Sequence, residues 1–491
     1  MSPRSGKIIN VPVVVNILGT LTTINGLMML MVIPFALIYG DHNIWAILSS
    51  SAITVSAGLL MYVATKSNLN SEIKKREGFL IVTLGWLFMS LFGTLPFILS
   101  GAIPDFSDAL FETVSGYTTT GASILDDIEA QSHSILFWRS TTHWIGGMGI
   151  IVLTIAILPL LGIGGMELFV AESPGPTKDK IHPRIKETAK RLWAIYMLLT
   201  LAETILLMFC GMDFFDAINH SFATIATGGF STKQASLGFY NSASIEIVVT
   251  VFMFLAGTNF TVLYFLLKGR KDKIINNDEF RWYVFWILIL GAMIVPAIVV
   301  SSGEPVGVAL RQGFFQVVSI VTTTGFITSN YEMWGSFATM LFFLMMFSGA
   351  SAGSTSGGFK IVRIVLLIKN GLAEFKRRLH PRAIIPIMMN KSSVPPSIID
   401  NLLAFTVLYI MVFVVSVLVM TALGMNFMSS MGAVATCLNN VGPGVGTVGP
   451  DFSFSSVPDI GKVFLAFVML LGRLELFTVL ILFTPYLWKR Y

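Results

Sequence analysis

Charge is scarce in this chain. Of 491 residues, 12% are Asp, Glu, Lys or Arg, while 54% are hydrophobic. A water-soluble fold of that composition has too little polar material for its surface, which argues against a soluble enzyme or binding domain. Cysteine is nearly absent. Cys210 and Cys437 stand in apolar context without pairing or metal spacing and read as buried, inert thiols. Paired His, Cys and acid spacings are also missing, as is any Walker pattern. The glycine-rich stretch 348–358 lacks the Gly-Lys-Ser/Thr ending of a phosphate cradle. These gaps together speak against catalysis.

What fills the chain instead is apolar runs long enough to cross a hydrocarbon core, which takes about 20 helical residues. Ten transmembrane helices are expected. Two form an N-terminal hairpin, at 13–39 and 44–65. The other eight lie near 79–100, 135–161, 192–210, 243–267, 282–301, 337–367, 398–423 and 457–488. Arg4 and Lys7 before the first run imitate a signal peptide. The run is too long, has no small-residue cleavage pattern and feeds a second span, so a retained helix is expected. Basic residues gather in alternate loops: Lys74, Lys75 and Arg76; Lys178, Lys180, Arg184 and Arg191; Lys268, Arg270 and Lys271; Lys376, Arg377, Arg378 and Arg382. The intervening loops hold acids, among them Asp105, Asp126, Asp216 and Asp451. By the positive-inside rule both termini face the cytoplasm. The formal net charge of +5 is then an orientation signal, with no nucleic-acid partner expected. The outer acids read either as a rim that concentrates cations or as groups that solvate loops.

After the hairpin (1–70), four units of one kind follow, at 71–165, 166–270, 271–370 and 371–491: span, short apolar stretch, Gly-bearing loop, span. Thr-Thr-Thr-Gly occurs at 118–121 and at 322–325. Looser relatives stand at 226–229 and 439–442, so the motif recurs roughly once per 100 residues. The stretches before it, near 106–117, 214–225, 306–321 and 427–438, are too short to cross but long enough to dip halfway in as helices. Irregular backbone at membrane depth survives only against protein or a water-filled cavity, so the loops are expected to line a pore. Stripping water from a small ion costs on the order of tens of kcal/mol, and a pore must supply replacement oxygens. Thr119 and Thr120, Thr227 and Gly228, Thr323 and Thr324, and Asn440 and Val441 can turn backbone carbonyls inward. Gly121, Gly229, Gly325 and Gly442 allow backbone angles that a side chain would block. The short helices would aim their negative C-terminal ends at the ion. One such motif would mark an ordinary turn; four in matching context argue for a filter.

The loops Thr118-Thr-Thr-Gly-Ala-Ser123, Ala226-Thr-Gly-Gly-Phe-Ser231, Thr322-Thr-Thr-Gly-Phe326 and Asn439-Asn-Val-Gly-Pro-Gly444 resemble the four filter segments of the Trk/Ktr/HKT superfamily of potassium transporters. The similarity covers nearly the whole chain, and the extra hairpin is closer to the TrkH branch than to KtrB. The resemblance implies an all-α integral membrane protein with four pseudosymmetric span–pore helix–span units around one pore. It also implies potassium as the transported ion at the filter residues, no covalently bound cofactor, a homodimer, a cytosolic TrkA-type nucleotide-binding ring, and a place in the cell (inner) membrane among lipids. No copy reads Gly-Tyr-Gly after the threonines, so looser selectivity, with some sodium or rubidium passage, is implied. Members with serine at the first filter glycine tend to pass sodium, and Gly121 argues for the potassium type.

Two further features bear on gating. The second span of the third unit is interrupted by Ser348-Gly-Ala-Ser-Ala-Gly-Ser-Thr-Ser-Gly-Gly358, whose glycines (Gly349, Gly353, Gly357, Gly358) and serines weaken helix. A polar stretch inside an apolar span must sit in a cavity, here beneath the filter. The equivalent stretch in the resembled family is an intramembrane gating loop; the alternative is a small-residue helix-packing patch. Arg473 lies mid-span, where a charge normally faces a cavity. Facing the pore it would repel cations, as the resemblance also implies; the alternative is a structural pair with Glu203 or Glu246. Glu112 and His220, each nine residues before its filter glycine, read as hydrogen-bonding supports or packing caps. His143 with Trp144 reads as an interfacial anchor. The mid-span acids Glu203, Glu246 and Glu475 leave open a proton- or sodium-coupled secondary transporter as the rival class.

Overall fold

A computed structural model describes residues 9–66, 74–152 and 181–489. Among the described residues the fold is helical, with a single two-stranded antiparallel hairpin, Met388–Met389 against Ser392–Ser393. Among the described residues, six helices are long and apolar enough to cross a membrane, and two further pairs qualify if each bent pair counts as one span.

The N-terminal pair, Val11–Met29 (continuing to Ile38) and Ile44–Thr65, packs backbone to backbone. A Cβ on Gly58 would lie 2.7 Å from the carbonyl oxygen of Gly19, so glycine is what lets these helices approach. The hairpin leans on the first unit, where Asn25 accepts a 2.5 Å hydrogen bond from the hydroxyl of Tyr117.

Four units follow. Each has a first span: Lys75–Gly93 running into Leu95–Leu99, Ile181–Phe209, Asp278–Ser302 and Pro396–Ala422. Each then has a short helix: Phe106–Tyr117, Phe214–Ile225, Val306–Val321 and Phe427–Asn439. Three of these start on side-chain caps. Asp105 accepts from the amides of Ser107 and Asp108, Asp213 from those of Phe215 and Asp216, and Asn426 from that of Ser429. Such caps satisfy donors that a helix start leaves orphaned, and they fix where each descent begins.

The second spans depart from expectation. Ranges 243–267 and 457–488 read as continuous, but Ala243–Ala256 and Phe260–Leu267 meet at 108°, and Asp459–Arg473 and Phe477–Phe483 at 112°. Asn259 recaps the chain on the amide of Thr261, and Glu475 takes a left-handed φ of 58° at the other break. The third unit is split as expected, into Ser336–Met345 and Ile361–Leu379. In the first unit His133–Val152 is described; the rest of the span expected at 135–161 and most of the basic loop after it lie outside the described residues.

Candidate ion filter and gate

The four Gly-bearing loops close on one another. A Cβ on Gly121 would lie 2.0 Å from the carbonyl oxygen of Gly228, one on Gly229 2.0 Å from that of Thr324, and one on Gly325 2.0 Å from that of Val441. One on Gly442 would lie 2.9 Å from that of Thr120. Each unit's glycine thus abuts the carbonyl just before the next unit's glycine, and the fourth returns to the first. The same four glycines line one cavity of about 480 Å³ that opens above them.

The local cause is a helix ending repeated four times. The amide of Thr120 donates to the carbonyl of Ser115 (2.8 Å), Gly228 to Ala223 (2.8 Å), Thr324 to Ser319 (2.9 Å) and Val441 to Thr436 (3.0 Å). This is the 6→1 bond of a Schellman cap. The residue such a cap needs in left-handed conformation is Thr119 (φ 52°), Thr227 (54°), Thr323 (58°) or Asn440 (56°), and two residues on, each glycine is again at positive φ. Between these two left-handed residues lies the one whose carbonyl meets the neighbouring unit's glycine: Thr120, Gly228, Thr324 or Val441. A β-branched residue at positive φ costs about 1–3 kcal/mol and persists only where its surroundings over-determine it. Hydroxyls of Thr118 and Thr120 (2.7 Å), and of Thr322 and Thr324 (2.8 Å), brace two of the loops.

Outside the ring the loops form a hydrogen-bonded collar. Arg139 donates to the carbonyl of Ser231 (2.9 Å), the amide of Gly238 to that of Ile327 (3.1 Å), Tyr331 to that of Gly444, and the amide of Phe454 to that of Ser123 (2.8 Å). Those bonds join units one to two, two to three, three to four and four to one.

Beneath lies the stretch 348–358, buried over most of its length. Its neck closes where the amide of Gly349 donates to the carbonyl of Phe359 (2.8 Å). The loop is pinned to three units. The Thr355 hydroxyl donates to the carbonyls of Ile225 (2.9 Å) and Ala256 (3.2 Å), and the Gly357 amide donates to the Thr323 hydroxyl (2.7 Å). Arg473 Nη1 donates to the carbonyl of Thr355 (2.9 Å). Gly353 and Gly358 take positive φ, and Gly349 and Gly357 have no room for a side chain. Arg473 is buried and pairs with neither Glu203 nor Glu246; Glu246 pairs with Arg311 (2.8 Å), and Glu475 with Arg363. Its Nε and Nη2 find no partner among the described residues, so its charge is left largely uncompensated. Only about 30 Å³ of free space remains beside Gly357, Gly358 and Arg473, room for about one water.

The TrkH family model, described as cation transport protein, matches residues 43–490. The chain is 44% identical to the Trk system potassium uptake protein TrkH of Escherichia coli strain K12, over 94% of this chain and 96% of that one. It is 34% identical to the Trk system potassium uptake protein TrkG of the same strain, over 98% and 99%. The crystal structure of the potassium transporter TrkH from Vibrio parahaemolyticus superposes with a TM-score of 0.89 at 38% identity, covering 98% of this chain and 100% of that one. The chain belongs to the TrkH family. It is a multi-pass membrane protein of a family of transporters, not of enzymes.

Within this TrkH-family fold, the side chains behind the ring include some that the sequence did not single out. Glu112, fully buried, accepts from Arg139 (2.5 Å), the Ser123 hydroxyl (3.0 Å) and the Ile124 amide (2.9 Å). His220 meets Ser231 at 2.9 Å, and Gln316, also nine residues before its glycine, donates to the carbonyl of Phe326 (3.4 Å). Each therefore holds the chain just past the glycine of its loop. Gln316 was detectable by the same offset. His143 is not an interfacial anchor: it is fully buried, stacks on Phe230 with ring centroids 3.9 Å apart, and occupies the space a Cβ on Gly228 would need. Neighbouring Trp144 suggested the membrane surface, but it is buried too, stacked on Phe222 with its indole N–H donating to the Thr200 hydroxyl (3.3 Å). Asp451 is the one acid lining the cavity above the four glycines among the described residues, beside Arg139 and Lys233. Asp126 instead accepts from Ser453 and Ser455, and Asp216 holds Lys233 at 3.4 Å. The outer acids named here mostly fasten loops. Asp105 does so as a cap, and the Ser107 hydroxyl and Asp108 amide hold its carboxyl below the usual range.

Proposed function

We propose that this chain takes up potassium through a gated, channel-like pore. The filter is the ring of backbone carbonyls supplied by Thr119 and Thr120, Thr227 and Gly228, Thr323 and Thr324, and Asn440 and Val441, with Gly121, Gly229, Gly325 and Gly442 admitting the close approach. One observation carries this reading: each glycine abuts a carbonyl of the next unit, all the way round. A closed ring of oxygens can replace the water shell of an alkali ion without a charged ligand. The names of the relatives, which are potassium uptake proteins, supply the ion. The loop 348–358, with Gly349, Gly353, Gly357 and Gly358, is the gate, and Arg473 holds it shut and repels cations. Alternate basic loops favour cytoplasmic termini, and the relatives' naming as parts of a Trk system supports a multi-component assembly, which we read as a homodimer in the inner membrane governed by a TrkA-type cytosolic ring.

Flux into liposomes holding the purified chain tests the proposal. Potassium should run down its own gradient with no proton or sodium gradient present. Flux that requires either ion at fixed stoichiometry would replace this reading with coupled transport. The ion pairs that occupy Glu246 and Glu475 favour the uncoupled form, and Glu203, buried with both carboxylate oxygens unpartnered among the described residues, is the acid a coupled form would use.

A further inference from the structure

Among the described residues, the cavity above the ring glycines is lined by two basic side chains, Arg139 and Lys233, and by one acid, Asp451. That balance is unfavourable for the entrance to a cation path. Arg139 is accounted for: it is buried, with Glu112 facing it at 2.5 Å. Lys233 is held differently. It stands four residues past Gly229 in the second loop, and its side chain stays partly exposed. Its ammonium rests to one side, 3.4 Å from Asp216 Oδ2 and 5.0 Å from the centre of the Phe239 ring. The hold is loose. Asp216 already accepts from the hydroxyls of Thr232 and Tyr240, both at 2.6 Å, so the carboxylate is fixed whether or not the lysine is there. A partly exposed pair at this distance is weak, and Phe239 is itself exposed.

We infer that Lys233 is a tethered competitor of the transported ion, and that Asp216 and Phe239 keep its ammonium parked off the ring. The inference rests on the ring reading proposed above. A sphere of the cavity's volume, about 480 Å³, has a radius of about 5 Å, and a lysine's four-carbon stem carries its ammonium about 6 Å from the backbone. Swung inward, Nζ has the length to stand over Gly121, Gly229, Gly325 and Gly442, which line the same cavity. An alkylammonium is compact, singly charged and close to potassium in size, so oxygens that replace the water around one suit the other. The tether presents it there at an effective concentration on the order of millimolar. Arg139 cannot take this part, because its guanidinium is locked between Glu112 and the carbonyl of Ser231. The Lys233–Asp216 pair thus sets how readily the mouth takes potassium. With the pair closed the path is clear; with it open the protein's own cation stands in the way.

The test is potassium uptake from the medium, measured against concentration in cells whose own uptake systems are deleted. Asp216→Asn keeps the shape of the side chain and removes its charge. It should raise half-saturating potassium about 3- to 10-fold at an unchanged maximal rate, the mark of competition. Adding Lys233→Gln should return half-saturation to the parent's value, which it would not do if Asp216 were merely structural. Lys233→Gln alone should stay within about 2-fold of the parent, because the ammonium it removes is parked. If Asp216→Asn does not fold, Phe239→Ala, at an exposed ring, should raise half-saturation about 2-fold, again reversed by Lys233→Gln. Half-saturation unchanged in the folded variants, or raised and not reversed by Lys233→Gln, would overturn the inference, and so would a fall in maximal rate alone. Failure of the ring reading appears separately, as full ion discrimination in folded Gly121→Ala.

Discussion

Replacing the four ring glycines one at a time by alanine should give unequal damage, and the inequality can be worked out beforehand. All four sit at positive φ (82°, 81°, 79° and 102°), so each alanine carries a similar backbone strain of about 1–3 kcal/mol. The steric demand differs. Real Cβ atoms essentially never come within 3.0 Å of such a neighbour, so Gly121, Gly229 and Gly325, at 2.0 Å, must push the next unit's carbonyl away by about 1 Å. At Gly442 the gap is already 2.9 Å, and about 0.1 Å suffices. Binding geometry tolerates about 0.5 Å before its ligands are lost, so three variants exceed the limit and one does not. Reversal potentials in mixed potassium and sodium, on protein whose melting temperature confirms folding, are the measurement. Gly121→Ala, Gly229→Ala and Gly325→Ala should lose most discrimination between the two ions, and Gly442→Ala should keep a large part. Equal losses at all four, or full discrimination in folded Gly121→Ala, would refute the ring.

Arg473→Ala removes one charge-assisted hydrogen bond to the loop, about 1.5–3 kcal/mol, and should raise basal potassium flux about 10- to 100-fold; an unchanged rate would end its role as a barrier. Glu112→Ala strands a buried guanidinium and should cost about 3–5 kcal/mol, read as a lowered melting temperature, with selectivity falling as the Ser123–Ile124 segment loosens. His143→Ala should cost about 2–5 kcal/mol and weaken ion discrimination by freeing the backbone at Gly228. A variant that alters only membrane insertion would restore the anchor reading of His143.

How much of this was legible in the sequence depends on the range of the interaction. The short helices were readable because their causes are local: an apolar stretch behind Asp105, Asp213 or Asn426 starts where its cap puts it. The loops were readable because the motif repeats. Bends at Ala256 and Arg473 were not, since the flanking residues are apolar enough to pass as one span, and at Glu475 the left-handed turn falls on a residue with no preference for it. Nor did the sequence disclose the ring partners, three of which lie about 100 positions apart and the fourth, Gly442 with Thr120, about 320, or the placement of His143 against Gly228. The most informative miss is the left-handed threonine. Propensity argues against Thr119, Thr227 and Thr323 at that angle, and asparagine alone among the four suits it. At Thr323 the hydroxyl has a partner that glycine could not supply, since it accepts the amide of Gly357 at 2.7 Å, so the strain there marks a place where side-chain chemistry has overruled backbone preference. The glycine two residues later is chosen on the opposite ground, for the atoms it leaves out.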